Sequence, residues 1–273
     1  MKMNLAVSLL RNSFAWILSL IMFVPLLLII INSLKTQLEA NSMSMALPGS
    51  LQWSNYAIVI EQGKLIQSFF NSLLYASVST VLGIALAAIA AYVFSRNRTR
   101  LHRILYLFVI MGIAMPVNFV TLTKVMQMTH LINTQLGIIV LLAVGSIPFS
   151  VFLIYGFVAS VPRELDEAGI VDGCPPFRLF YAIVLPLLAP VVVTVAILNF
   201  MGAWNDFVLP LYYLNSSTKW PMTLAVYNFY GRFQVNWNLV SADIVLTTLP
   251  VIIIYLLGQK YIISGMTSGS VKG

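Results

Sequence analysis

Charge is what this sequence has least of. Only 8% of its 273 residues are Asp, Glu, Lys or Arg, against roughly 25% in soluble globular proteins. A soluble domain needs polar residues to cover its surface, and there are too few here. Disorder is excluded for the opposite reason, because disordered chains are poor in apolar residues, whereas the AVILMFWYC set reaches 60%. Cysteine is nearly absent: Cys174 alone rules out an internal disulfide framework and a multi-cysteine metal site. Two histidines, His102 and His130, lie too far apart for a helical zinc pair, so no metal is expected. No phosphate-cradling loop is present: five residues before the glycine of Gly63-Lys64 stands Ile58, not glycine. No G-x-S-x-G elbow occurs. These absences argue against an enzyme.

What is present is long apolar runs, with mean hydropathy +0.93. A helix needs about 20 apolar residues to cross the hydrocarbon. Six runs meet or approach this: Phe14–Ile31, Phe69–Phe94, Ile104–Leu122, Leu136–Val158, Leu179–Trp204 and Ile244–Leu257. The last is short, so its helix is expected to start earlier and take Asp243 into its first turn. The first run is too long for a signal-peptide core and reads as an uncleaved span. The fold class is therefore an all-α membrane protein with six transmembrane helices, surrounded by membrane lipid.

Six crossings place both termini on one side. If that side is cytoplasmic, ten basic residues lie inside (Lys2, Arg11, Arg96, Arg98, Arg100, Arg103, Arg163, Arg178, Lys260, Lys272) and five outside (Lys35, Lys64, Lys124, Lys219, Arg232). This obeys the positive-inside rule and explains the net charge of +7 by topology rather than by nucleic acid. Gly83, Ala87 and Ala91, spaced by four, fit a close-contact stripe on the second span; alanine as an ordinary helix former is the other reading. Pro116, Pro148, Pro186, Pro190 and Pro250 interrupt spans three to six.

The inner loop Ala159–Arg178 carries the most information. Pro162 suits a first helical position, and Glu164, Asp166 and Glu167 lie early, where the helix dipole favours anions. Gly173 suits the left-handed site after a helix, and Pro175 prevents continuation. Leu165, Ala168, Gly169 and Asp172 share one face at i, i+3, i+4 and i+7, where small residues let a partner surface approach. A second helix starts near Pro176 and leads into the fifth span. A plain helix-turn-helix connection would need no more than this.

The pattern Glu167-Ala168-Gly169, Gly173 and Ile183-Val184-Leu185-Pro186 resembles the EAA loop of the membrane subunits of binding-protein-dependent ABC importers, E-A-A, three residues, G, nine residues, I-x-L-P. Gly169 stands for the second alanine, lowering helix propensity by about 1 kcal/mol. Further motifs are similar to those of the carbohydrate-importing, maltose-type branch: Ser33-Leu34-Lys35, Asn71-Ser72, Asn133-Thr134, Trp204-Asn205-Asp206-Phe207, Gln259-Lys260-Tyr261 and the ending Gly265-Met266-Thr267-Ser268-Gly269-Ser270-Val271-Lys272-Gly273.

The resemblance implies a type I ABC importer permease fold in the inner membrane of a prokaryote. Residues 1–67 would form the first span and outer loop, 68–258 a permease core with the EAA loop at 159–186, and 259–273 a cytoplasmic tail. It implies a sugar substrate, a second and different permease subunit, two ATPase subunits that hold ATP and Mg, and an extracytoplasmic solute-binding protein. This chain would bind no cofactor. Glu167, Ala168, Gly169, Asp172, Gly173, Ile183, Leu185 and Pro186 would form the ATPase-docking segment. Asn199, Asn205, Asp206 and Asp243 are candidates for the substrate pathway, since a carboxylate at membrane depth is a functional candidate by default; helix capping is the alternative for both aspartates. The aromatic outer loop (Tyr212, Tyr213, Trp220, Tyr227, Phe229, Tyr230, Phe233, Trp237) fits an interfacial belt, sugar stacking or binding-protein docking. A self-sufficient carrier or channel is the competing function. It would need charges inside the spans, and the six runs contain none.

Overall fold

A computed structural model describes residues 5–97, 99–231 and 235–268. Lys2, Arg98, Arg232, Phe233, Lys272 and the last five residues of the tail motif lie outside them. The described residues are helical, with no strand among them.

The principal helices in chain order are α1 (Leu5–Ser33), α2 (Leu65–Arg96), α3 (Arg100–Met111), α4 (Phe119–Met128), α5 (Gln135–Val158), α6 (Glu164–Val171), α7 (Pro176–Leu187), α8 (Ala189–Asn205) and α9 (Trp237–Ser268). Four of them, α1, α2, α5 and α9, are long and apolar enough to cross a membrane. Helices α7 and α8 are long and apolar enough to cross a membrane only as a pair, bent by 79° at their break. Prolines explain the break. Pro186 and Pro190 flank it and each lacks a backbone donor, and residues Leu179–Val184 just before are wound as a π-helix. By contrast, Pro148 and Pro250 sit inside continuous helices.

The third expected crossing, Ile104–Leu122, is not one helix. It is α3, then turns through 112–118, then α4, whose start is capped by Asn118 accepting from the Thr121 N–H at 3.1 Å. Pro116 disfavours helix in the residue before it. The sixth helix begins at Trp237, earlier than expected, so Asp243 lies in its second turn and caps nothing.

The chain divides into two compact units. The first comprises Met1–Ile66 and Ala225–Leu249. In it the Ser33-Leu34-Lys35 motif is a buried junction. The Lys35 ammonium, 1% exposed, donates to Asn32 Oδ1, the Ser44 carbonyl and Ser44 Oγ, while Asn55 donates to the carbonyls of Ser33 and Lys35. The second unit comprises Gln67–Leu224 and Pro250–Gly273. Its core joins Ala87 and Ala91 of α2 to Val151, Ile154 and Val158 of α5 and to Phe180, Val184 and Leu188 of the broken span. The small-residue stripe is the reason α2 and α5 approach so closely: a Cβ on Gly83 would collide with Ser146 Oγ, and Ala87 and Ala91 are fully buried. Of the two readings of that stripe, close contact is the one realised.

Candidate functional site

The segment between α5 and α8 has the local structure its residues dictate. Three carboxylates occupy the first turn of α6, where the unsatisfied N–H groups favour anions. The helix starts at Glu164, two residues beyond Pro162, with Arg163 at the N-cap. It ends in a Schellman motif: the Cys174 N–H bonds the Gly169 carbonyl and the Gly173 N–H bonds the Ile170 carbonyl, with Gly173 at φ +73°. Pro175 and Pro176 then force a fresh start, and the chain turns into α7.

One side of α6 is clamped to the end of α2. Asp166, 8% exposed, forms an ion pair with Arg96 (Oδ2 to Nε, 2.8 Å) and accepts from the Tyr92 hydroxyl at 2.7 Å. Both Nη atoms of Arg96 donate to the Val161 carbonyl, and Arg163 donates to the Ser95 carbonyl at 3.1 Å. A carboxylate and a guanidinium brought out of bulk water in this way hold one geometry, because either alone would be stranded. Sequence reading missed this clamp. Arg96 and Asp166 are far apart in the chain, and no local periodicity links them.

The residues singled out for docking fall into two groups. Glu167, Ala168, Asp172 and Gly173 are exposed, together with an apolar rim of Ile170, Val171 (86% exposed), Phe177 (77%) and Tyr181. Gly169 instead turns inward. A Cβ there would lie 2.5 Å from Leu179 Cδ1 and 3.5 Å from Ile183 Cδ1, so its smallness lets the next helix pack rather than a partner approach. Leu165 and Asp172 are exposed and Gly169 is buried, so the four positions do not present one outward face. Ile183 closes this internal contact, Leu185 is half-buried, and Pro186 is exposed beside the bend.

On the substrate-pathway candidates, Asn199 is buried on α8 and donates to Ser150 Oγ of α5 at 2.8 Å. Asp206 follows the last residue of α8; its carboxylate accepts from the Leu209 N–H at 2.9 Å and its carbonyl from the Thr223 hydroxyl. Asn205 is exposed. Asn199 and Asp206 both line a cavity of about 650 Å³ with Ser79, Thr80, Ser146 and Phe149. Among the described residues the buried Thr80 hydroxyl has no hydrogen-bond partner. Asp243, in the other unit, is buried, 1% exposed. No cluster of metal-ligating side chains occurs among the described residues.

The aromatic loop is held internally. The Asn133 side chain accepts from the backbone N–H groups of Asn215 and Ser216, and its carbonyl accepts from Lys219 Nζ. Asn71 donates to the carbonyls of Thr218 and Trp220, and Ser72 Oγ accepts from the Met222 N–H. The Asn-Ser and Asn-Thr motifs are thus fasteners of residues 214–222. Trp220 bonds the Leu214 carbonyl and Tyr213 is buried.

The family model "Binding-protein-dependent transport system inner membrane component" matches residues 81–268, more than half of the chain. The chain belongs to that family. It is a multi-pass membrane subunit of a prokaryotic import complex and not an enzyme, and the self-sufficient carrier has no support from the family. The permease protein MsmG of the multiple sugar-binding transport system of Streptococcus mutans is 31% identical over 258 residues, covering 93% of each chain. The melibiose/raffinose/stachyose import permease protein MelC of Bacillus subtilis is 30% identical over 254 residues, covering 92% of each. Among solved structures, a bacterial ABC transporter involved in import of the acidic polysaccharide alginate superposes with a TM-score of 0.83 at 19% identity, over 96% of this chain and 98% of that one. This likeness speaks to the fold.

Proposed function

We propose that this permease moves a sugar across the membrane and is driven through α6 by ATPase subunits that carry the ATP and Mg. The observation that carries the reading is the construction of the segment: a short acidic helix, clamped on one side to α2 through Asp166 and Arg96, with Glu167 and an apolar rim left exposed on the other. A push on the exposed side is transmitted to α2 through the ion pair and to α7 through the contact of Gly169 with Leu179 and Ile183. Glu167 pairs with a basic residue of the ATPase cleft, and Val171 and Phe177 fill its apolar part. Exposed ion pairs alone are worth little, so the apolar rim supplies most of the affinity.

A sugar substrate is supported by the names of the relatives above and by the cavity beside Asn199, Asp206 and Thr80, which offers hydrogen-bonding groups against apolar walls. A second permease subunit completes the pathway, and a binding protein delivers the sugar. The basic residues at the α2–α3 and α5–α6 connections support a cytoplasmic location for that side and for both termini. The test is Glu167→Lys in the assembled transporter. Membrane insertion is expected to persist while ATPase copurification and ATP-driven uptake are lost. Normal copurification with that variant would contradict the assignment.

A further inference from the structure

Beside the clamp, and lined by none of the docking-rim residues, the chain leaves a second cavity of about 810 Å³. It opens where α2 ends, α3 begins and α5 ends, at the boundary between apolar spans and the loops that join them. Three guanidinium residues line it, Arg96, Arg103 and Arg163, with Glu164 as the one carboxylate on the lining. Arg96 and Arg163 are committed to the protein by the bonds described above. Arg103 is exposed and makes no ion pair among the described residues. Thr99, the N-cap of the twelve-residue α3, also lines the cavity, so the positive end of that helix faces the same space.

One wall is built from aromatic and apolar side chains. Tyr106 and Tyr155 stack across it with ring centroids 4.1 Å apart, and Leu107 continues the wall along α3. Beyond the cavity, Ile104, Leu105 and Phe108 of α3 are exposed, as a lipid-facing helix surface would be. A site with a free cation at its polar end, a helix N-terminus beside it and an apolar track leading away fits a phosphate group attached to hydrocarbon. Basic pockets between spans on the cytoplasmic side take anionic lipid headgroups by this chemistry. We infer that this cavity binds the phosphate headgroup of an anionic phospholipid, with Arg103 as its principal ligand. The inference rests on the proposed orientation only for the choice of leaflet. Because Arg163 and Glu164 belong to both the cavity and the start of α6, the bound lipid props the clamp that holds the docking helix.

The probes are phosphatidylglycerol and phosphatidylcholine, exchanged into nanodiscs holding the full chain, with retained lipid counted by native mass spectrometry after delipidation. The wild-type chain is expected to retain phosphatidylglycerol preferentially. Each basic residue contributes on the order of a fivefold preference at a membrane surface, so Arg103→Gln lowers it about fivefold and Arg103→Glu about twenty-five-fold. Arg103→Lys restores most of it. A control reversal, Lys124→Glu on α4, leaves it unchanged. Equal retention by wild type and Arg103→Glu overturns the proposal. So does displacement of the lipid by millimolar inorganic phosphate, which would assign the site to a free anion. Loss of ATPase copurification in Arg103→Glu while phosphatidylglycerol retention stays at the wild-type level would make the cavity a protein-docking surface and also overturn it. Lipid retention is read on the permease without its ATPase, so it succeeds or fails independently of the Glu167 result.

Discussion

Replacing Asp166 with alanine removes one half of the clamp and leaves the Arg96 guanidinium, with its side chain 12% exposed, facing a space it was built to share. Breaking a buried ion pair by deleting one partner costs about 3–5 kcal/mol. Arg96 keeps its two bonds to the Val161 carbonyl, so the lower end applies, about 3 kcal/mol, including the acceptor lost to Tyr92. For a chain of this size, about 2–4 °C per kcal/mol translates this into a fall of about 6–12 °C in the unfolding midpoint. Asp166→Asn retains acceptors for Tyr92 and Arg96 but loses the charge, and about half the effect is expected. The assay is thermal unfolding of the purified chain in nanodiscs, with the double variant Asp166→Ala/Arg96→Ala completing a cycle. Its effect is expected to fall short of the sum of the singles by about 1–3 kcal/mol. A midpoint for Asp166→Ala indistinguishable from wild type, or strict additivity in the cycle, would refute the clamp.

Three further expectations concern nearby or comparable features. Gly173→Ala meets no atom within 4 Å but must adopt φ +73°, a penalty of about 1–2 kcal/mol that a thermal-shift measurement resolves and that Gly173→Asn partly recovers. Gly169→Ala is close to neutral, because Leu179 Cδ1 is the mobile end of a side chain and the gain in helix propensity, about 1 kcal/mol, offsets its shift; Gly169→Val loses about 1–3 kcal/mol by overpacking, and equal stability of the two would count against the Leu179 contact. In the segment that follows α1, the Glu39 carboxylate is held below its ordinary pKa, chiefly by the Thr36 N–H and then by the Gly49 N–H. Its ordering effect is therefore complete above the unfolded carboxylate value and is lost as pH falls through the lower folded one. Hydrogen exchange at Thr36 and Gly49, corrected for intrinsic rates, is expected to speed up across that acidic window in wild type and to show no such step in Glu39→Gln.

Much of this molecule was legible in its residues. Five of the six apolar runs fall on helices long and apolar enough, singly or as the bent pair, to cross a membrane, and the end of α6 followed from Gly173 and Pro175. Where the reading departed from the structure, a local pattern met a tertiary one. The run Ile104–Leu122 is apolar enough for a helix, yet its chain turns at 112–118, ahead of and around Pro116. Asp243 looked like a helix start only because the uncharged run begins after it; the helix begins at Trp237, ahead of that run. Gly169 carries two meanings in sequence, a small residue for a partner or a small residue for the chain's own next turn. Only the position of Leu179 separates them. The Asp166–Arg96 pair has no signature at all, since neither residue differs locally from an ordinary surface charge.

The central claim is that α6 is moved by a motor on other polypeptides, and site-directed cross-linking at position 167 tests it most directly. With Cys174 replaced by serine, Glu167→Cys becomes the lone thiol, and the assembled transporter in sealed membranes can be treated with a short bifunctional reagent. The account predicts a covalent product between this chain and an ATPase subunit, with the thiol protected from impermeant maleimide applied to intact cells. Labelling of position 167 from outside, with no ATPase product, would contradict it.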